Sequence, residues 1–121
     1  MNDEVFRLFE DILGKRISVA EVVRSNYSKG EDVFDPILPS AVLFPDSTEE
    51  VSSILKICNK YKIPVVPFGA GTSLEGQVVG IENGISISME NMNQILSVNP
   101  NDFDCKVQAY VTRLKLNEYL K

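Results

Sequence analysis

The 121-residue sequence contains no histidine. Histidine is the commonest general base near neutral pH and the commonest metal ligand, so this chain must leave both tasks to other groups. Its two cysteines, Cys58 and Cys105, are too few for a disulfide framework and lack metal-site spacing. We expect both to be small buried apolar residues, Cys58 on a helix and Cys105 in a strand. Any catalysis therefore requires a cofactor or residues from outside this chain.

Long apolar runs and clustered positive charges are missing as well. No stretch approaches the ~20 apolar residues that span a bilayer. The net charge of −5 and the scattered Lys and Arg residues argue against nucleic acid as the main partner. The acidic start, Met1 to Val5, lacks the basic and apolar segments of a signal peptide and disfavours a mitochondrial transit peptide. We therefore expect a cytoplasmic protein.

Glycine is concentrated in the segment from Val65 to Gln77, which has the sequence Val-Val-Pro-Phe-Gly-Ala-Gly-Thr-Ser-Leu-Glu-Gly-Gln. The β-branched run before it predicts a strand over 65–66, which Pro67 is expected to end because it has no N–H. Glycine lets a backbone approach a ligand closely, and successive N–H groups can bind a phosphate. No Gly-Lys-Ser/Thr follows, which excludes a Walker loop, and Leu74 breaks the Rossmann spacing. By composition alone, an ordinary surface loop explains the segment equally well.

Hydrophobic periodicity and turn residues predict the elements before this loop. An amphipathic helix spans residues 2 to 14, and a capping box of Ser18 and Glu21 opens a short helix through Arg24. A loop over 26–40 leads to a buried strand over 41–44. Ser47 then caps a helix, with Glu50 as its reciprocal partner. The buried face of this helix is predicted to contain Val51, Ile54, Leu55, Cys58 and Tyr61.

Three strands and a helix are predicted after the glycine loop. Clean alternation indicates a strand over 84–89, and two further strands over 95–98 and 105–110 flank a turn. Thr112 caps a last helix. The expected fold class is α/β, or α+β: a small parallel β-α-β sheet, then antiparallel strands, with the N-terminal helices packed outside. We expect a single domain, with residues 1–25 as a helical lead-in and 41–121 as the core.

Several of these motifs, in this order, resemble the FAD-linked oxidases of the vanillyl-alcohol-oxidase type, which share a p-cresol-methylhydroxylase-type (PCMH-type) FAD-binding domain. The branch most similar to this chain contains D-lactate dehydrogenases and the FAD subunit of glycolate oxidase. The resemblance runs from about Tyr27 to the last residue, and its motifs are Ala41–Val51, Val65–Gly76, Asn91–Leu96 and Val111–Asn117.

The resemblance implies that backbone amides of the glycine loop hold the FAD pyrophosphate. In this sequence the implied cofactor-binding residues are Pro67, Phe68, Gly69, Ala70, Gly71, Thr72, Ser73 and Leu74, with Gly76 shaping the exit of the loop. Some relatives attach flavin covalently through a loop histidine, so FAD here would be held non-covalently. The phrase from Tyr27 to Asp32 would lie beside the cofactor. Glu75, the only carboxylate of the loop, is expected to face solvent or to stabilise a turn rather than to act in catalysis.

Two departures from the family pattern stand out. Where the family has Pro-Gly-Val-Thr, this chain has Ala109-Tyr110-Val111-Thr112, so either the local backbone differs or the Tyr110 ring fills part of the flavin pocket. Family members also continue well beyond this length, with further nucleotide contacts, a cap domain and substrate-binding residues. We therefore expect a truncated, N-terminal part of the domain, incomplete for catalysis by itself.

The function implied by the resemblance is FAD binding within a flavin-dependent dehydrogenase or oxidase of 2-hydroxy acids, of the D-lactate or glycolate type. A second chain that completes the flavin site, or a second copy of this chain, would then be a partner beside FAD. The alternatives are a folded, non-catalytic remnant that binds no flavin, and a module that associates with itself through exposed apolar surface.

Overall fold

The computed structural model describes residues 1–121 and contains four helices and six strands. In chain order they are α1 (Asp3–Leu13), β1 (Ile17–Ser18), α2 (Glu21–Asn26), β2 (Ala41–Leu43), α3 (Thr48–Tyr61), β3 (Val65–Phe68), β4 (Ile85–Ser88), β5 (Ile95–Asn99), β6 (Asp104–Val107) and α4 (Arg113–Leu120). Four strands form one sheet in the order β1-β2-β4-β3, and β5 pairs with β6 in a separate antiparallel ladder. The predicted α/β class, with a small parallel sheet followed by antiparallel strands, is confirmed.

The parallel part of the sheet has β4 at its centre, between β2 and β3. Because the three strands run in the same direction, their carboxyl ends meet at one edge, where ligands of open α/β sheets usually bind. The alternating pattern over 84–89 correctly predicts β4, yet all four of its residues are buried. A central strand has neighbours on both sides, and here both of its faces are covered.

One face of the sheet, the helix face, carries the apolar core. Helices α1 and α3 pack there, and the buried cluster consists of Val5, Phe9, Leu13, Ala41, Leu43, Ile54, Cys58, Ile85 and Ile87. Asn2 caps α1, since its side chain accepts hydrogen bonds from the N–H groups of Glu4 and Val5. Burial raises the pKa of Cys58 to about 11, so this thiol behaves as a small apolar residue, as predicted.

The predicted capping box at Ser18 is wrong. Ser18 belongs to β1 and pairs with Val42, and its hydroxyl accepts a hydrogen bond from the N–H of Ala20. Helix α2 begins only at Glu21, without a side-chain cap. Antiparallel pairing with β2 has therefore overridden a local capping signal.

The N-terminus of α3 follows the prediction in part. Ser47 accepts a hydrogen bond from the N–H of Glu50, as expected of an N-cap. The Glu50 carboxylate, however, bonds to the N–H of Asp46 and to the Arg16 guanidinium instead of the N–H of Ser47. The predicted burial of Leu55 is also wrong. Its side chain is 44% exposed, whereas Ile54 and Cys58 of the same helix are buried.

Pro67 does not end its strand, contrary to the prediction, because β3 continues to Phe68. The carbonyl of Pro64 accepts a hydrogen bond from the N–H of Ile85, and that of Phe68 accepts one from the N–H of Met89. The backbone N–H and C=O groups of the even-numbered residues therefore point toward β4. The nitrogen of Pro67 therefore points to the open edge, where no N–H is needed.

The last 30 residues are much less buried. Strand β6 spans Asp104–Val107 and ends three residues before the predicted end at residue 110. All four of its residues are exposed. Cys105 is therefore exposed, and the prediction that it is buried is wrong. Thr112 caps α4 as predicted by accepting a hydrogen bond from the N–H of Lys115, but α4 buries no residue.

Candidate functional site

The glycine loop leaves the carboxyl end of β3 and returns to the start of β4. Residues that alternate with the core positions, such as Phe68, Ser86 and Ser88, face away from the helices. We call this second side of the sheet the loop face. Val78 and Gly80 of the loop are buried, and the N–H of Gly80 donates to the carbonyl of Ser28. The loop thus lies at the edge of the sheet where the parallel strands end.

Six consecutive N–H groups of this loop, from Gly69 to Leu74, donate no hydrogen bond within the chain. The first internal bonds come later, from the N–H of Glu75 to the Gln77 side chain and from the N–H of Val79 to the carbonyl of Gly76. Most backbone N–H groups of folded proteins are paired with protein or water. Six free N–H donors at the carboxyl end of a strand can bind an anion without breaking any hydrogen bond of the loop.

Two of the glycines have a backbone conformation that disfavours side chains. Gly71 has φ +74° and Gly76 has φ +80°. A methyl group on Gly71 would lie 2.7 Å from the Phe68 ring, and one on Gly76 would lie 2.8 Å from the Phe34 ring. Gly69 differs, because a Cβ there would enter open space. Packing thus explains Gly71 and Gly76, whereas nothing inside the chain explains why residue 69 lacks a side chain.

Ser73 has a second polar group of the loop that lacks a partner in the chain. Its hydroxyl oxygen is buried and has no hydrogen-bond partner in the chain. A buried, unpaired hydroxyl is unfavourable, so it calls for a partner. Free amides from Gly69 to Leu74 and an open Cα at Gly69 fit a diphosphate, which is bound through several N–H donors without side-chain obstruction.

The segment from Tyr27 to Gly30 supports the loop from behind. Ser28 is buried, and its carbonyl accepts hydrogen bonds from the N–H groups of Ile37 and Gly80. The Tyr27 ring packs on Phe68 with 4.6 Å between centroids and contacts Phe44 edge-on. Its hydroxyl donates to Ser88 at 2.9 Å, and partial burial raises the pKa of Tyr27. The resemblance implies a position beside the cofactor, and the structure places this segment against the glycine loop.

This supporting role was not predicted from the sequence. The contacts with Phe68, Gly80 and Ser88 join residues about 40 to 60 positions apart, and the segment has no periodicity that would indicate a partner. The only sequence signal was a tyrosine and a glycine, Tyr27 and Gly30, close together in an irregular stretch.

Glu75 lies at the rim of a cleft beside the loop exit. The cleft has a volume of about 410 Å³ and is lined by Phe34, Asp35, Ile37, Glu75, Gly76 and Val79. Glu75 is exposed, and its N–H takes part in a local turn with Gln77. This placement agrees with the expected solvent-facing role.

Tyr110 adopts an ordinary negative φ, so its backbone does not require glycine. Its N–H donates to the carbonyl of Met92 at 2.9 Å, and the residue is partly buried. The departure from the family pattern at this position therefore introduces no backbone strain. The structure contains no group of three or more Cys, Asp and Glu residues placed to hold a metal ion. None of its helices has the length and apolar character needed to cross a membrane.

Comparison with known proteins agrees with this geometry. A family described as FAD binding domain matches residues 39–121. The chain is 39% identical over 120 residues to the probable mitochondrial D-lactate dehydrogenase of Danio rerio, covering 98% of this chain and 24% of that protein. It is 38% identical over 79 residues to glycolate oxidase subunit GlcD of Bacillus subtilis (strain 168), covering 65% of this chain and 17% of that protein.

Solved structures show the same fold. Alkyldihydroxyacetonephosphate synthase superposes with a TM-score of 0.90 at 21% identity, over 99% of this chain and 25% of that chain. Substrate-bound p-cresol methylhydroxylase superposes with a TM-score of 0.82 at 22% identity, over 98% of this chain and 24% of that chain. The 121 residues therefore span about a quarter or less of these proteins and correspond to their N-terminal part.

The predicted resemblance to PCMH-type flavoproteins and the prediction of FAD as cofactor are confirmed. The chain belongs to the family of FAD-binding domains.

Proposed function

We propose that the chain is the N-terminal, FAD-binding part of a flavin-dependent dehydrogenase or oxidase of 2-hydroxy acids, of the D-lactate or glycolate type. In this proposal residues 67–76 hold the FAD pyrophosphate, with residues 1–25 as lead-in and 41–121 as core. The similarity to D-lactate dehydrogenase and to glycolate oxidase subunit GlcD supports the substrate class.

The observation that carries the proposal is the row of six free N–H groups from Gly69 to Leu74. Hydrogen bonds to a charged group are stronger than neutral ones, so a diphosphate gains from each aligned donor. Rotation of the Ser73 side chain toward the ligand would add one more donor, because its buried hydroxyl has no partner in the chain to give up. Phe68 and Pro67 belong to β3 and anchor the start of the loop.

The chain's own contribution is binding and orientation. Bound FAD would supply the hydride chemistry, and no side chain from Pro67 to Gly76 is a histidine. A partner chain, a second copy of this one, or further residues of the same protein would complete the flavin pocket. A cytoplasmic location stays a prediction, and the Danio rerio relative carries a mitochondrial name.

A ligand series tests the diphosphate role directly. The purified chain is titrated with FAD, ADP and riboflavin while its melting temperature is followed. A ligand that binds only the native state raises the melting temperature as its concentration exceeds Kd. We expect FAD and ADP to do so and riboflavin, which has no phosphate, to have little effect. Equal responses to FAD and riboflavin would contradict a pyrophosphate site.

Gly69→Ala and Gly14→Ala form a crossed pair of variants. A methyl on Gly69 meets no atom of the chain and projects into the proposed ligand space, so affinity for ADP should fall while stability stays unchanged. Gly14 ends α1 with φ +60° and ψ −120°, so alanine there should lower stability and leave ADP affinity unchanged. A parallel loss of affinity in both variants would argue against a site at the loop.

Self-association is a second candidate function, supported by exposed apolar side chains near the end of the chain. Phe103 is 96% exposed, and Leu114, Tyr119 and Leu120 are more than half exposed. Sedimentation measurements over a range of concentrations test this candidate. A dimer that is lost in a Phe103→Ser variant would support it, and a monomer at all concentrations would exclude it.

A further inference from the structure

Two carbonyl oxygens of the glycine loop face the Cα of Gly30. A methyl group placed on Gly30 would lie 3.1 Å from the carbonyl oxygen of Gly71 and 3.0 Å from that of Ser73. It would also lie 2.8 Å from a methyl group of Val78. Only glycine at this position lets the loop come so close.

The direction of these carbonyls fixes the direction of two N–H groups. In a planar trans peptide the C=O and the N–H point in opposite directions. The Gly71 carbonyl shares its peptide with the N–H of Thr72, and the Ser73 carbonyl shares its peptide with the N–H of Leu74. The two oxygens are the atoms of these peptides nearest to Gly30, so each N–H group lies on the side of its peptide remote from Gly30. Neither N–H donates a hydrogen bond within the chain.

Tyr27 acts on the same turn through Phe68. The Phe68 ring occupies the space where a Gly71 side chain would be, and the Tyr27 ring packs on Phe68. The Tyr27 hydroxyl is bonded to Ser88 of the central strand, so the sheet fixes the place of both rings. Gly71 has φ +74°, and the ring beside it limits how far this turn can relax.

We infer that Tyr27 and Gly30 are positioning residues that aim the N–H groups of Thr72 and Leu74 at the diphosphate. The inference rests on the proposed function of the loop and extends it to a segment about 40 residues earlier in the chain. Neither residue touches the ligand in this arrangement. Tyr27 acts through Phe68 and Gly71, and Gly30 acts through the two carbonyl groups.

The orientation of single N–H bonds can be measured by residual dipolar couplings in the 121-residue chain without ligand. We expect the couplings of Thr72 and Leu74 to change in Tyr27→Leu and in Gly30→Ala. Tyr27→Phe retains the ring but loses the hydrogen bond to Ser88, so its couplings should lie between those of the wild type and those of Tyr27→Leu. Leu13→Ala removes a core side chain on the helix face, so it should lower the melting temperature and leave both couplings unchanged.

Titration with ADP provides the second readout. Tyr27→Leu and Gly30→Ala should weaken ADP binding about tenfold or more relative to Leu13→Ala, the factor expected when a charged group loses one aligned donor. Unchanged couplings in both Tyr27→Leu and Gly30→Ala would overturn the inference, and so would an equal change in Leu13→Ala. If Gly30→Ala does not fold, Tyr27→Leu decides the outcome. A wild-type chain that binds no ADP would count against the loop as a diphosphate site in this chain by itself, while the couplings would still decide whether these residues orient the loop.

Discussion

On the helix face of the sheet, α1 and α3 bury an apolar cluster whose members are almost fully inaccessible, among them Phe9 and Ile54. On the loop face, the same three parallel strands present Phe68 and two buried serines, and they are covered by irregular backbone. Free N–H groups and an unpaired Ser73 hydroxyl remain there. The strands are shared, so the difference lies in what covers them.

The helix face mainly stabilises the fold, whereas the loop face provides the proposed binding site. Regular helices satisfy their own backbone hydrogen bonds, so the helix face gains from apolar burial without leaving donors open. In the loop, the N–H groups from Gly69 to Leu74 donate no hydrogen bond within the chain. An anionic ligand requires such free donors. Substitutions on the helix face should therefore change stability alone, and substitutions in the loop should change ligand affinity.

Phe9→Ala should have the largest effect on stability. Phe9 is completely buried on the helix face, and removing a buried aromatic ring lowers the free energy of unfolding by about 3–5 kcal/mol. ADP affinity, measured at a temperature where the variant is folded, should match the wild type. Thermal unfolding by circular dichroism and an ADP titration measure the two quantities. A large loss of affinity in the folded variant would show that the faces are coupled.

Gly71→Ala should lower both the stability and the ADP affinity, so it is an exception to the division between the two faces. Alanine at φ +74° is strained by about 1–3 kcal/mol, and its methyl would also displace the Phe68 ring. We expect a lower melting temperature together with weaker ADP binding. Gly69→Ala is the control within the same loop, because it meets no atom of the chain. A Gly71→Ala chain with wild-type stability would refute the packing of Phe68 against this turn.

Acid should weaken the hydrogen-bonded ion pair between Arg16, which precedes β1, and Glu50 of α3. Arg16 donates two hydrogen bonds to Glu50 and lowers the pKa of that carboxyl from 4.5 to about 2. A lowered folded-state pKa contributes stability above pH 4.5 that is lost as the pH falls towards 2. The Arg16 side chain is 32% exposed and screened by solvent, so we expect a loss on the order of 1 kcal/mol.

Denaturant unfolding between about pH 6 and about pH 2.5 measures this loss. Glu50→Gln removes the titrating group while its side-chain oxygen still accepts from the N–H of Asp46, so this variant should lack that part of the pH dependence. Identical pH profiles for Glu50→Gln and the wild type would contradict the prediction.

Ser73→Ala and Ser86→Ala should have the smallest effect on stability. Both hydroxyls are buried without a partner, so removing either should change the free energy of unfolding by less than about 1 kcal/mol. Ser73 belongs to the proposed diphosphate loop and Ser86 to the central strand. Only Ser73→Ala should weaken ADP binding. If the two variants bind ADP equally well, the Ser73 hydroxyl is not a ligand contact.

Local signals in the sequence predicted the helix face well. The period of 3–4 residues in α1, the Ser47 cap of α3 and the alternation in β4 are short-range patterns, and each appears in the structure where expected. The errors concern long-range pairing. The Ser18 capping box gave way to a ladder with β2, and Pro67 is tolerated inside β3 because that strand lies at an edge. No local pattern states which strand will be a neighbour.

The exposed end of the chain shows a different kind of failure. The sequence predicts two strands over 95–98 and 105–110 around a turn, and β5 and β6 do pair there. Burial of Cys105 does not follow from strand formation, because a two-stranded ladder needs another layer to cover it. None is present over β6, whose four residues are exposed.

Three features could be read from the sequence: the secondary elements with strong periodicity, the position of the glycine loop after a strand, and the family. These depend on residues close together in the chain, or on motifs in a fixed order. Two contacts could be found only in the folded chain: Tyr27 packs on Phe68, and Gly30 lies close to the carbonyl oxygens of Gly71 and Ser73, about 40 residues later. Backbone direction depends on what packs behind the loop, and that contact exists only once the sheet has brought the two segments together.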